Sequence, residues 1–383
     1  MKKLNILFVS HYSGMYGANK SMFTLMLLLK ERYHVNPVVL LRHHGPICEY
    51  LENSGIKYHI FYFYWWINGD EGIFQYLLNW RKQVLNLLKI NRLVRLVQVD
   101  KFDMVYSNSI AVNMGVYIAR SLKTPHLWHI REGLELYGFK LSMGKFMARR
   151  FLKHGTDRYI VISEYMYGFY NDLIPQNLIS TIYNGVSISK SERKSNILIN
   201  DVLNLCIVGI ISKQKNQMDA LCAIKILVDK GYKNFKLHIV GTHTLDYAKT
   251  LEEYIESNGL NDFVVLCGHQ DNVDEILQTM NVGLMTSQGE AFGRVTLEYM
   301  LHRMPVIASD SGANMEIVKN DINGSIYELF NSFDLASKIE YFINHPEQLD
   351  LIGGVAQEYV QTNFSSEQNA TKIFGVIQEL CLN

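Results

Sequence analysis

Short runs of branched and aromatic side chains alternate along the whole chain with longer segments whose apolar residues recur every three or four positions. The first pattern predicts buried strands and the second predicts helices lying on them. In the first half, strands are expected at 4–10, 35–41, 56–63, 103–108, 125–130, 158–163 and 178–183, with helices at 18–32, 74–98, 110–121 and 140–154. The rhythm repeats with strands at 204–210, 235–241, 263–268, 282–287 and 305–309, separated by helices near 215–230, 245–258, 271–280, 293–302 and 314–320. Strand and helix in strict alternation, with strands apolar on both faces, predict parallel sheets covered on each side. The polar stretch 187–200 reads as a linker. The expected architecture is therefore α/β, with two facing doubly wound domains, 1–187 and 188–365, and a cleft between them. A last helix, about 366–383, is a candidate to pack back on the first domain. Ligands of such sheets sit at the carboxyl ends of the strands, so the residues just after strands are the ones to read for chemistry.

Length and composition agree with two cored domains, at 383 residues with 48% hydrophobic and 19% charged side chains. Charge changes the picture more. Lys plus Arg equals Asp plus Glu at 37 each, which gives no reason to expect nucleic acid as a partner. Residues 1–190, however, carry 23 basic and 12 acidic side chains, and the remainder carries 14 and 25. An excess of eleven charges of opposite sign in each half suggests domains with different electrostatic tasks. The five cysteines (Cys48, Cys206, Cys222, Cys267 and Cys381) are scattered and never spaced as C-x-x-C, so neither a disulfide framework nor a zinc cluster is expected. No apolar run approaches a membrane span, and the opening MKKLNILFVSHYSG reads as a first strand rather than a leader. The expected location is the cytoplasm, with an anionic membrane face as a candidate partner.

The richest stretch is SQGEAFGRVTLEYMLHRMPVIASDSGANMEIV, 287–318. Glu290 falls in the loop after a strand and Glu298 about one turn into the next helix, seven residues lying between them. Gly293, at the helix start, lets backbone N–H groups approach a ligand, and a helix N-terminus favours phosphate. Carboxylates suited to sugar hydroxyls thus stand beside an anion site.

This stretch resembles the E-x-F-G-x-x-x-x-E signature, P-V-I-A strand and G-x-x-E-I-V segment of the retaining family-four glycosyltransferases, which have the GT-B fold of two Rossmann-like domains. The likeness continues through VGIISKQKNQMDAL (208–221), which is similar to the family's phosphate loop, and YNGVS (183–187). It is looser in SGMYGANKSMFTLML (13–27) and WHIRE (128–132). The resemblance implies transfer of a sugar from a UDP- or GDP-sugar to a glycan or lipid-linked acceptor, as in surface polysaccharide synthesis, with no metal and no cofactor. It implies that Glu290 binds donor-sugar hydroxyls, Glu298 the ribose, and Lys215 the departing diphosphate. Phe292, Gly293, Arg294 and Val295 would line the sugar and phosphate with backbone amides. His129 would touch the donor sugar from the first domain, and Gly17 would admit the phosphates or acceptor. One departure stands out. The family's arginine after the strand glycine is Ile210 here, which leaves Arg294 and Arg131 as candidate replacements.

Gly241 and Gly268, at strand ends, either admit the nucleotide or make tight turns, and Glu316 either nears the phosphates or caps a helix. Trp65 and Trp66 run past an expected strand end, where core packing competes with an acceptor groove or a lipid interface. The absence of D-x-D, of G-x-G-x-x-G after the first strand and of a P-loop counts against metal-dependent transfer, nicotinamide chemistry and nucleotide hydrolysis. A two-domain nucleotide-sugar epimerase and a non-catalytic nucleotide-sugar-binding partner remain as alternatives. Two segments of the first domain are basic and amphipathic. Residues 77–99 hold Arg81, Lys82, Lys89, Arg92 and Arg95 with no acidic residue, and 140–154 holds Lys140, Lys145, Arg149, Arg150 and Lys153. Their apolar stripes either pack on the sheet or meet anionic lipid.

Overall fold

Strand-forming runs become strands of two separate parallel sheets. A computed structural model describes residues 3–69, 73–134, 138–142, 144–188, 195–242 and 245–382. The chain divides into two units, Met1–Ser187 with Ser366–Asn383, and Ile188–Ser365. In the first unit the elements run β1 Leu4–Ser10, α1 Gly17–Tyr33, β2 Val35–Leu41, α2 Ile47–Asn53, β3 Lys57–Ile60, β4 Ile67–Asn68, α3 Ile73–Val97 and β5 Met104–Asn108. They continue with α4 Met114–Leu122, β6 His126–Ile130, β7 Lys140–Leu141, α5 Gly144–Gly155, β8 Arg158–Val161, α6 Glu164–Tyr170 and β9 Ile179–Thr181. The second unit holds β10 Leu203–Val208, α7 Gln217–Asp229, β11 Phe235–Val240, α8 Leu245–Ser257, β12 Val264–Gly268, α9 Val273–Leu277 and β13 Val282–Met285. After these come α10 Arg294–Leu301, β14 Val306–Ser309, α11 Asn314–Ile317, β15 Gly324–Tyr327, α12 Ser332–Asn344 and α13 Glu347–Asn363. The last helix, α14 Ser366–Leu382, belongs to the first unit, where it lies against α1 and stacks Phe374 on Tyr33 at 4.1 Å.

The first sheet has the order β3-β2-β1-β5-β6-β8-β9 and the second β12-β11-β10-β13-β14-β15, every adjacent pair within them parallel. Each order reverses once, between β1 and β5 and between β10 and β13. Those two seams are where a doubly wound sheet opens a crevice for ligands. Buried side chains fill both faces of each sheet, Phe8, Leu127 and Ile373 on one side of the first and Val9, Val105 and Leu93 on the other.

Several expectations need correction. The strand expected over 56–63 stops at Ile60, and the chain then turns so that Trp66 enters the core against Trp128 (5.6 Å) and Phe151 (5.1 Å). Core packing is the outcome for Trp66. Trp65 is half-buried, its indole N–H donating to the His11 carbonyl at 2.9 Å. The helix expected over 140–154 begins instead with a short antiparallel pairing of β7 on β4, Lys140 opposite Asn68. The polar stretch 187–200 spans the boundary between the units, but it is not free throughout where it is described. Residues 189–194 lie outside the described residues, and Asn196 beyond them is buried on the second unit, donating to the carbonyls of Asn281 (2.8 Å) and Arg303 (2.9 Å).

Helix α3 is the largest surprise. Its buried side starts with amides rather than leucines: Gln83 donates to the Trp65 carbonyl at 2.9 Å, and Asn86 exchanges hydrogen bonds with the Tyr64 backbone at 2.8 and 2.9 Å. Leu93 and Val97 supply apolar burial only near its end. Of the apolar stripe Leu77, Leu78, Leu85, Leu88, Leu96 and Val99, for which packing and lipid contact are the alternatives, Leu78 and Leu85 are half-buried and the other four are exposed. An aromatic strand end that offers backbone groups instead of a smooth apolar face selects the amide side of the helix, and those four are turned outward.

Candidate active site

At the seam of the second sheet, the loops after β10 and β13 lie side by side. The Gln288 N–H donates to the Gln214 carbonyl (2.8 Å) and the Thr286 hydroxyl to the Lys215 carbonyl (2.7 Å). Lys215 and Glu290 meet across this pairing, Nζ to Oε2 at 2.6 Å. Burial alone would push the Glu290 carboxyl up. The Lys215 charge and hydrogen bonds from Lys215, Ser287 and the Gly293 N–H outweigh it and hold the carboxyl below its ordinary value. Glu290 is further fixed by its backbone, whose carbonyl accepts from the Ala313 N–H at 2.8 Å.

Gly293 caps α10 with φ 82°, a left-handed conformation that disfavours a side chain. A Cβ there would also lie 3.0 Å from the Thr296 hydroxyl and 3.5 Å from both Asn314 Oδ1 and the Glu290 side chain. The Thr296 hydroxyl and Asn314 Oδ1 are buried and make no hydrogen bond. Phe292 is buried and Val295 half-buried on either side of this turn. Arg294 directs Nε at Glu298 Oε1, 2.9 Å away and one turn on, so the two are held as a pair on the first turns of α10. Ile210 is exposed, and Lys213 on the same loop is exposed as well.

Gly241 and Gly268 serve different ends. A Cβ on Gly241 would stand 1.9 Å from the Gly209 carbonyl oxygen, so Gly241 is required for two strand ends to pass closely. Gly268 adopts φ 65° with open space around it, and its carbonyl accepts from the Gly241 N–H at 2.8 Å. Glu316 is half-buried on α11, its N–H donating to the Ala313 carbonyl at 3.0 Å.

In the first unit, residues from the strand ends flanking the seam are tied into one network. Asn108, ending β5, donates to the Ala18 carbonyl (3.2 Å), and its Oδ1 accepts from Arg131 Nε. Arg131 is buried, and Nη1 reaches Asn184 Oδ1, so this arginine clamps the end of β5 to the N-G-V turn. Gly17 is exposed at the start of α1 with φ 31°. His129 is fully buried, with Nδ1 on the Tyr106 hydroxyl and Nε2 without a partner. Burial and, second, the Arg131 charge lower its pKa well below the ordinary value, so it stands as the neutral imidazole at neutral pH.

Glu290, Lys215, Phe292, Gly293, Arg294, Val295 and Glu298 are thus brought together in the second unit, and Gly17, His129 and Arg131 belong to the first. Sequence reading missed Asn108, Ser287, Thr296 and Asn314. Asn108 follows a serine at a strand end, a detectable position, whereas the other three gain their meaning only from distance to Gly293 and Glu290. Among the described residues no group of three or more His, Cys, Asp or Glu side chains could hold a metal ion.

Comparison with known proteins adds a lineage to this geometry. Residues 17–190 match the family model described as Glycosyltransferase Family 4, and residues 189–358 match Glycosyl transferases group 1. A capsular polysaccharide biosynthesis glycosyltransferase of Staphylococcus aureus, CapM, is 31% identical over 47% of this chain and 47% of its own length. A glycosyltransferase of Methanocaldococcus jannaschii is 27% identical over 78% of this chain and 80% of its own. The chain thus aligns with about half the length of the first relative and four fifths of the second. Among solved structures, Anabaena HepE, in complex with UDP and glucose, superposes with a TM-score of 0.81 at 21% identity, covering 98% of this chain and all of its own.

Proposed function

Since the chain belongs to the family-four glycosyltransferases and has their GT-B fold, we propose that it moves a sugar from a nucleoside diphosphate sugar to a glycan or lipid-linked acceptor, with retention, in the synthesis of a surface polysaccharide or glycoconjugate. The observation that carries this reading is the Lys215–Glu290 pair at the mouth of the second sheet's seam. Cleaving a sugar–phosphate bond builds negative charge on the diphosphate and positive charge on the sugar ring. A fixed lysine and the N–H groups at the start of α10 answer the first, and a half-buried, ionised carboxylate answers the second. A diphosphate entering the site competes with Glu290 for Lys215, which frees the carboxylate for sugar hydroxyls. Glu298 takes the ribose in this scheme, and in the first unit the neutral His129 offers Nε2 as a donor or acceptor for a sugar hydroxyl. Names of the relatives support the acceptor class, and UDP in HepE supports the donor class.

No metal is required in this reading, because fixed cations stand where metal-bound phosphate would otherwise need them. The assay is a panel of UDP- and GDP-sugars with release of nucleoside diphosphate as readout, with and without EDTA. Turnover that EDTA abolishes and magnesium restores would refute metal independence. A chain that only epimerises the donor, or only binds it, would belong to one of the alternative classes.

Arg294 is the expected substitute for the arginine absent at Ile210. It lies on the first turn of α10 and shares Glu298, whereas Arg131 is committed to Asn108 and Asn184. Arg294→Ala should weaken nucleoside diphosphate binding by more than about threefold, roughly 0.6 kcal/mol. Titration of the nucleotide into wild type and variant measures it, and an unchanged affinity assigns the phosphate site to other groups.

The reading also places the acceptor on an anionic membrane face, to which the first unit docks peripherally. Among the described residues no helix is long and apolar enough to cross a membrane. Support comes from α3 and α5, where Phe74 (72% exposed), Leu88 (75%) and Phe146 (79%) stand out into solvent on helices that carry Arg81, Arg92, Arg95, Arg149 and Arg150. Each basic residue near such a surface contributes about 1 kcal/mol. In liposome flotation, binding should need anionic lipid, fall as salt rises, and weaken on neutralising Arg92, Arg95, Arg149 and Arg150. Equal recovery from neutral and anionic vesicles, or none from either, rejects the membrane.

A further inference from the structure

A cavity lies wholly within the first unit. Its volume is about 770 Å³, within the range of small-molecule sites. The first turns of α3 and α5 form two of its sides, and the small β4–β7 pairing forms another. Chemistry at its wall is mixed. Tyr76 and Phe139 offer aromatic surface, and Lys140 and Arg149 offer positive charge. Asp172 is the one carboxylate among its described lining residues.

Two side chains on this wall make the cavity more than a gap. Asn79 is 3% exposed and Ser142 is 4% exposed, and both line the cavity. The Asn79 oxygen accepts from Lys82 at 3.2 Å, but its Nδ2 has no partner, and neither has the Ser142 hydroxyl. A buried polar group left unpaired costs about 1–3 kcal/mol. Two such groups on residues that line one cavity mark a place for a ligand that supplies acceptor oxygens once the side chains turn toward it, since an amide Nδ2 can only donate. With a guanidinium and an ammonium on the same wall, the matching oxygens are anionic. Phe74 and Leu77 near the start of α3, and Phe146 and Met147 near that of α5, are exposed apolar residues on the same two helices. An apolar rim beside a cationic, donor-rich interior fits an amphiphile with a charged head.

We propose that this cavity binds the phosphate head of a long-chain lipid phosphate, the lipid-linked acceptor, with the chain leaving along the apolar faces of α3 and α5. The phosphate oxygens accept from Arg149, Lys140, Asn79 Nδ2 and the Ser142 hydroxyl, and Tyr76 and Phe139 pack on the first carbons of the chain or the first sugar. The word acceptor rests on the glycosyl-transfer reading, but the binding itself does not.

The test uses the full chain and three probes below their micelle concentrations: an isoprenyl phosphate, the matching isoprenyl alcohol, and inorganic phosphate. Affinities are compared for wild type, Arg149→Ala and Ser142→Leu. Arg149 is exposed, so its truncation leaves the fold intact, while leucine at position 142 fills the cavity. The isoprenyl phosphate should bind at least tenfold more tightly than either other probe, and each variant should lose at least fivefold. Equal binding of the alcohol would mean a greasy groove without a phosphate site, and equal binding of inorganic phosphate would mean an anion site without a lipid. Either result, or full affinity in both variants, overturns the proposal. Nucleoside diphosphate binding, measured in the same samples, reports on the second unit. Its loss in wild type would count against the glycosyl-transfer reading and leave the lipid-phosphate result standing.

Discussion

Glu290→Gln lowers turnover by at least about a hundredfold, close to 2.7 kcal/mol of transition-state stabilisation, while nucleoside diphosphate binding is retained or tightened. The amide keeps the size of the carboxylate and its contact with the Gly293 N–H, so the loop after β13 stays in place. The negative charge that opposes developing positive charge on the sugar is what disappears. Lys215, no longer bound to a carboxylate at 2.6 Å, is then free for the diphosphate, which is why affinity does not fall. Glu298→Ala behaves oppositely, weakening nucleotide binding with a smaller effect on turnover, because a ribose contact hardly changes during the reaction. Steady-state kinetics with calorimetric titration of the nucleotide separates these patterns, and the reverse assignment of effects would mean that the two carboxylates have exchanged roles.

The same pair has a pH signature. A carboxyl held below its ordinary value of 4.5 contributes stability that is fully present above that pH and is lost as pH falls through the lowered value. Glu290→Gln should therefore differ from wild type by a constant amount between pH 5 and 8, the gap closing only in stronger acid.

The second large effect is structural. Gly283→Ala should destabilise the second unit by about 2–3 kcal/mol, lowering its melting temperature by roughly 5–10 °C. A Cβ at this position would stand 2.2 Å from the ring of Tyr299, which is fully buried on α10. The ring has no room to retreat, because its hydroxyl accepts the Val208 N–H at 2.6 Å and so completes the hydrogen bonding of β10 beyond its short pairing with β13. Moving Tyr299 moves its neighbour Glu298 and leaves a strand N–H unpaired. Nucleotide affinity should fall along with stability, although Gly283 itself touches no ligand in the scheme above. Thermal melts with and without nucleotide measure both, and a stable, fully binding Gly283→Ala variant would show that the helix can shift without cost.

How far these residues could be read in advance differs from one to the next. The alternation of apolar runs and amphipathic segments determined two parallel α/β sheets, since strands apolar on both faces need cover on both. The stretch from Glu290 to Glu298 carried its own local geometry, a glycine before a helix with a carboxylate on each side, because every part lies within nine residues of chain. Local chemistry of that kind survives folding unchanged. The meeting of Lys215 with Glu290 does not belong to this class. They are 75 positions apart and come together only because the order of strands reverses between β10 and β13. Tertiary packing alone likewise decided that Arg131 is a buried clamp, that Trp66 is core, and that α3 turns its amides inward and Leu77, Leu88 and Leu96 out. For α3 the choice rested on which backbone groups a distant segment left unsatisfied, and for Arg131 on the side-chain oxygens of Asn108 and Asn184. Hydrogen bonds to such groups outweigh the pattern of one helix, because a buried polar atom without a partner costs as much as burying a leucine gains.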